Sequence, residues 1–139
     1  MKNDLRSVLC LPVPETYDIS MLTMITAHPN YAPWPKREPQ YVCFIKKGGL
    51  VEKVYELKYK FYTTLEDVEK SKLKLNDIDR TNFEKYYYTR CKEFGFHEGG
   101  EWTFYICHKP IDVEKNFYVK HVRASKYMKL EDIPIFNNY

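Results

Sequence analysis

Apolar and polar positions change their period several times along the chain, and each change marks an element. Tyr41-Val42-Cys43-Phe44-Ile45 is a short, nearly continuous apolar run, the pattern of a strand buried on both faces. Lys46-Lys47-Gly48-Gly49 follows and supplies the glycines that a tight hairpin turn needs. The next run alternates with period two: Tyr55, Leu57, Tyr59 and Phe61 predict one face of a long strand, and Glu56, Lys58 and Lys60 the other. Val51 and Val54 fall out of step, which predicts a β-bulge near Glu52 and Lys53. Residues 63–79 are charged and predict a surface excursion with a helical turn around residues 65–69. Thr81-Asn82-Phe83-Glu84 has the capping-box form, so a helix is expected over residues 82–94, ended by Gly95. Its Phe83–Tyr87–Cys91 stripe is expected to pack on the sheet. Residues 101–107 alternate again, with Trp102, Phe104 and Ile106 against Thr103 and Tyr105. Residues 116–123 predict a further strand, and residues 127–133 a closing helical turn ended by Pro134.

Upstream of Gln40 the pattern is different. Residues 19–27 predict a short helix with Asp18 or Ser20 as N-cap, stopping at His28-Pro29 because the residue before proline avoids the α region. Residues 28–39 are too proline-rich for helix or central strand and predict a stiff, extended arm. No internal repeat or low-complexity tract is present. Together these elements predict an α+β fold in one domain over residues 1–139, with an extension in 1–39 and a core in 40–133.

Composition narrows the function classes. Thirteen tyrosines and eight phenylalanines raise the aromatic share to 17%, which suits both a half-buried sheet and a recognition surface. A net charge of +3 and a pI near 8.5 permit nucleic-acid binding without demanding it. Cys10, Cys43, Cys91 and Cys107 are widely spaced and form no CxxC, against a zinc finger or ribbon. Cys43 and Cys107 on strands and Cys91 on a helix face read as buried thiols, with no disulfide, structural zinc or cofactor expected. The start of the chain lacks the apolar core of a signal peptide, and no stretch reaches membrane-span length, so a reduced, cytoplasmic protein is expected.

The order of strand, glycine turn, long strand, helix, two strands and closing turn over residues 40–133 resembles the PUA-like domains, in particular the EVE and ASCH branches. Tyr41-Val42-Cys43-Phe44-Ile45 and Val54-Tyr55-Glu56-Leu57 match the opening strands, and Phe83-Glu84-Lys85-Tyr86-Tyr87-Tyr88 the helix. Asn116-Phe117-Tyr118-Val119-Lys120-His121-Val122-Arg123 matches a later strand, and Tyr127-Met128-Lys129-Leu130-Glu131-Asp132-Ile133 the closing phrase. The resemblance implies a strongly bent sheet or open barrel flanked by helices. It also implies recognition of DNA or RNA: EVE and YTH members bind a modified base, flipped or single-stranded, in an aromatic pocket. Several work beside nuclease or motor domains in bacterial restriction systems.

The candidate base-binding residues are Trp34, Tyr41, Tyr62, Tyr88, Phe94, Phe96 and Trp102. Trp34 sits between Pro33 and Pro35 and reads either as a pocket wall or as the packing anchor of the arm; Trp102, in step with Phe104 and Ile106, reads as core. Tyr86, Tyr87 and Tyr88 span more than one helix face, and Tyr88 lies farthest from the apolar stripe. Residues 94–100 form an aromatic, glycine-rich connection suited to a pocket rim or an ordinary loop. Lys46, Lys47, Lys58, Lys60, Lys120 and Arg123 are candidates for a phosphate backbone, or a solvated sheet face. Cys107 and His108 are strand neighbours on opposite faces and cannot pair as nucleophile and base. With no P-loop, Gly-x-Ser-x-Gly or His-Glu-x-x-His motif, a binding module is expected rather than an enzyme; an ASCH-like hydrolase is the enzymatic alternative. The alternative in binding is a protein-interaction module or small inhibitor docking through an aromatic surface.

Overall fold

The apolar run at residues 41–45 is strand β3 (Tyr41–Ile45), and its last four side chains are buried. A strand of that kind must be covered on both faces and flanked on both edges. In the computed structural model, which describes residues 7–30, 37–96, 99–119 and 125–136, β3 lies between β1 (Ser7–Pro12), parallel to it, and β4 (Val51–Thr64), antiparallel. Beyond these come β5 (Glu101–Asp112), β2 (Ile25–Pro29) and β6 (Lys126–Lys129), in the order β2-β5-β4-β3-β1-β6. Among the described residues β2 and β6 stay unpaired on their outer sides, so the mixed sheet bends without closing. An edge position suits Pro29, which has no N–H to give to a ladder. Helices α1 (Tyr17–Thr23), α2 (Val68–Lys72) and α3 (Asp77–Glu93) flank the sheet, completing an α+β fold.

The glycine hairpin and the first bulge lie where the sequence places them. Gly48 and Gly49 take φ of 91° and 99°, and a Cβ on Gly49 would stand 2.6 Å from the Val119 carbonyl oxygen. Cys43 faces Val54 while Ile45 faces Val51, so Glu52 and Lys53 together oppose Phe44.

Several elements differ from expectation. The helix expected over residues 19–27 is α1, starting two residues earlier from Thr16 and ending at Met24, which takes a left-handed φ of 59°. Ile25, Thr26 and the pre-proline His28 favour extended backbone, and they pair with β5 as strand β2. β1 lay outside any predicted strand, yet it is an interior strand between β3 and β6, with Leu9 and Leu11 buried on one face and Val8 and Cys10 on the other. The helical turn expected at residues 65–69 is α2, shifted toward the C-terminus, with Val68 buried. α3 begins at Asp77, because the Asn76 side chain accepts from the Asp79 N–H at 2.8 Å; the Thr81 hydroxyl donates to the Asp77 carbonyl instead of capping. The buried stripe is therefore Asp79, Phe83 and Tyr86, and Cys91, expected inside, is exposed. Gly95 ends the helix as expected, at φ 80° with its N–H on the Arg90 carbonyl. Of residues 116–123, the described part forms only a bridge between Tyr118 and Leu50. Residues 126–129 are strand rather than helical turn, because Tyr127 and Met128 pair with Leu9 and Val8; a 3₁₀ turn, Leu130–Asp132, follows.

Between Leu57 and Tyr59 the β4–β5 register slips by one: Leu57 faces Cys107 but Tyr59 faces Ile106, leaving Lys58 as an extra residue. α3 secures this second bulge through Asp79, which is nearly buried. Its Oδ2 accepts from the Tyr59 hydroxyl at 2.8 Å and from Asn76 at 3.0 Å, and pairs with the Lys58 ammonium at 2.8 Å. Burial works against the charge, but these partners together hold the carboxyl below its usual range. A lowered folded pKa means that Asp79 contributes stability at neutral pH and loses that contribution as pH falls through the ordinary carboxylate range toward the folded value. Asp79→Asn is expected to lower stability by about 1–3 kcal/mol near neutral pH and by less in acid. Urea unfolding at neutral pH and in acid measures both; an equal effect at the two would contradict this assignment.

Candidate functional site

The second bulge builds the site. Side chains alternate along a strand, so one extra residue turns every later residue over. The sequence puts Tyr55, Leu57, Tyr59 and Phe61 on one face; the bulge at Lys58 divides them. Tyr55 and Leu57 lie with Tyr105 and Cys107 on what we call the inner face, whereas Tyr59 and Phe61 lie with Ile106 and Phe104 on the outer face under α3. Lys60 and Tyr62 are thereby turned inward, opposite Tyr105 and Thr103. On the next strand Thr26 stands opposite Tyr105 and His28 opposite Thr103. Three adjacent strands thus bring Lys60, Tyr62, Thr103, Tyr105, Thr26 and His28 onto one face.

The buried part of this face is a fixed polar floor. His28 and Tyr105 are buried. His28 Nδ1 lies 2.8 Å from the Pro29 carbonyl, which can only accept, so Nδ1 carries the proton. In the neutral ring Nε2 then accepts the Tyr105 hydroxyl, also at 2.8 Å. Burial raises the Tyr105 pKa and keeps that hydroxyl a donor. Thr103 Oγ1, on the same floor, is buried and has no hydrogen-bond partner. Such a group costs a fold roughly 1–3 kcal/mol and calls for a reason.

The accessible part is aromatic and basic. The Tyr62 ring is 47% exposed, and the Lys60 ammonium sits 5.6 Å from its centroid and 6.0 Å from that of Tyr105. Tyr127 of β6 packs against the inner-face cluster, its ring covered by the Arg37 guanidinium at 4.0 Å and its hydroxyl donating to the Arg37 carbonyl. Burial raises the Tyr127 pKa, opposed by Arg37.

The other residues singled out in the sequence lie apart. Trp102 is buried on the outer face, with Phe96 edge-on to it at 4.8 Å. Phe94 caps α3, half-buried. Tyr41 packs on the outer-face cluster around Val8 and Cys43. Tyr88 is exposed on α3, donating to Glu69 at 2.6 Å and accepting from Lys72 at 3.0 Å. Lys46 lies over the Tyr17 ring at 5.3 Å, Lys47 is exposed in the hairpin, and Lys58 points outward to Asp79, so Lys58 and Lys60 do not share a face. Trp34, Lys120 and Arg123 lie outside the described residues. His108 stands 3.4 Å from Glu56, and Cys107 is buried on the inner face. Sequence reasoning missed His28, Thr103, Tyr105, Tyr127 and Arg37 as site residues; their one signal was the Thr103–Tyr105 alternation.

Among the described residues, no group of three or more His, Cys, Asp or Glu side chains is placed to hold a metal ion, and no helix is long and apolar enough to cross a membrane. No protein-family model matches the sequence, and no curated protein matches it. Solved structures do. The ASCH protein of Zymomonas mobilis superposes with a TM-score of 0.52 at 11% identity, over 93% of this chain and 92% of that one. A single-site variant of the same protein gives 0.52 at 10% identity, over 91% and 92%. At that identity the likeness shows the fold alone: this chain shares with that protein a bent, unclosed mixed sheet flanked by helices.

Proposed function

We propose that this chain is a nucleic-acid-binding module that receives one base, methylated or otherwise modified, on the inner face between Tyr62, Tyr105 and Tyr127, with Lys60 and Arg37 meeting the phosphates. The observation that carries the reading is the buried Thr103 hydroxyl without a partner, set beside a fixed Tyr105–His28 pair under an exposed aromatic and a lysine. A methyl group on a base carries no charge to read; shape and stacking on aromatic faces detect it, and fixed hydrogen-bonding groups position the base edge. Thr103 offers both a donor and an acceptor to that edge. The reading is one of binding rather than catalysis, because His28 has both ring nitrogens engaged and is not poised as a base. Service beside a nuclease or motor subunit of a restriction system belongs to the same proposal.

Thr103→Val tests it. The substitution keeps the shape and removes a hydroxyl that the free protein does not use, so thermal stability is expected to hold or rise. Affinity for oligonucleotides carrying the recognised base is expected to fall about three- to tenfold, the worth of one hydrogen bond. A stable variant with wild-type affinity would remove Thr103 from the site.

A further inference from the structure

A concavity adjoins the inner-face floor and shares Thr26 and His28 with it. It measures about 250 Å³ and sits between the turn at residues 12–16, strand β2 and the C-terminal end of α3, with Val13, Glu15, Thr26, His28, Arg90 and Trp102 in its walls. Arg90 is its distinctive group. The guanidinium stands 4.4 Å from the Phe96 ring centroid and 5.0 Å from that of Trp102, so it packs against two aromatic rings. Nη1 donates to the Tyr86 hydroxyl at 2.8 Å and Nε to the Gly95 carbonyl at 3.3 Å. Among the described residues Nη2 makes no hydrogen bond, and no carboxylate lies within 4.0 Å of the group. A half-buried guanidinium packed against two rings, with donors left over and no ion pair among the described residues, is arranged for a ligand rather than for an internal ion pair.

We infer that this cleft binds a compact oxyanion of the phosphate class through the free edge of Arg90. The remaining N–H groups on Nη1 and Nη2 can meet two oxygens of one phosphate, and the hydrogen bonds and ring packing that already hold the group lower the ordering cost of doing so. The cavity is smaller than the roughly 300–1,000 Å³ of drug-sized sites, so it admits a phosphate with a small appended group and no extended ligand. Glu15 at the wall sets an opposing charge that tunes affinity downward.

The full chain is titrated with inorganic phosphate and, separately, with a nucleoside 5′-monophosphate at constant ionic strength. Binding is followed by calorimetry and by the Arg90 side-chain N–H resonances. Saturable binding that shifts those resonances is expected. Equal affinity for both ligands assigns the cleft to free phosphate, and tighter binding of the monophosphate assigns it to a nucleic-acid phosphate. Arg90→Lys, which keeps the charge but loses the planar fork, is expected to weaken binding at least about tenfold. Glu15→Gln, which disturbs none of the contacts of Arg90, is expected to tighten it about two- to fivefold. Absence of saturation with both ligands, or a folded Arg90→Lys with wild-type affinity, would overturn the assignment. If Arg90→Lys does not fold, an unchanged affinity in Glu15→Gln overturns it instead.

Discussion

Phe104→Ala is expected to remove about 3–5 kcal/mol of stability, enough to leave a domain of ordinary stability at the edge of unfolding. Phe104 is fully buried, and it is where the aromatic cluster converges: Phe61 stacks on it at 5.5 Å, Phe83 meets it edge-on at 5.1 Å, and Phe96 and Tyr86 approach at 6.1 and 6.5 Å. Removing the ring loses its transfer free energy and leaves a void that β5 and α3, each held by other contacts, cannot collapse to fill. It also forfeits the ring-edge attractions, each worth about 0.5–1.5 kcal/mol beyond burial. Phe104→Leu, which refills much of the volume, is expected to cost clearly less. In denaturant unfolding the midpoint should fall with the slope unchanged. A loss under about 1 kcal/mol would mean that the outer-face packing is not as drawn.

Tyr62→Ala is expected to weaken oligonucleotide binding about five- to a hundredfold, because stacking of one base on one aromatic is worth roughly 1–3 kcal/mol. The ring is 47% exposed, so its removal should change folding stability by less than about 0.5 kcal/mol. Lys60→Gln should act differently: modified and unmodified strands weaken alike, and the dependence of log affinity on log salt becomes shallower by about one unit. Tyr88→Ala supplies the control. That ring is equally exposed, but it sits on α3 with its hydroxyl tied to Glu69 and Lys72, and its loss should leave binding unchanged. Equal losses in Tyr62→Ala and Tyr88→Ala would place the binding surface on the helices instead of the sheet.

The elements most legible in the sequence were those whose two faces differ, or whose turn chemistry is explicit. Val51 and Val54 break an otherwise regular alternation, and the bulge at Glu52 and Lys53 shows in that break. The second bulge left no such mark. Past Lys58, one face carries Tyr59 and Phe61 and the other Lys60 and Tyr62, so a flip exchanges aromatic for aromatic and the period-two pattern reads on undisturbed. Because that bulge turns Lys60 and Tyr62 inward, much of the site was hidden with it. His28 was hidden for another reason: the proline after it marks a helix end, and an edge strand satisfies the same backbone restriction. Thr103 and Tyr105 looked like the lesser face of β5 beside Trp102, Phe104 and Ile106. Both faces are in fact covered, and burial of a polar face shows only once the sheet bends over it.

The most direct test of the inner-face reading is the ratio of affinities for modified and unmodified oligonucleotides, measured at low salt in the wild type, Tyr62→Ala and Lys60→Gln. The predicted result is a wild-type preference for one modified base, a ratio that collapses toward unity in Tyr62→Ala, and a ratio preserved in Lys60→Gln while both affinities fall. A wild type that binds neither strand at low salt, or a preference that survives intact in Tyr62→Ala, would contradict it.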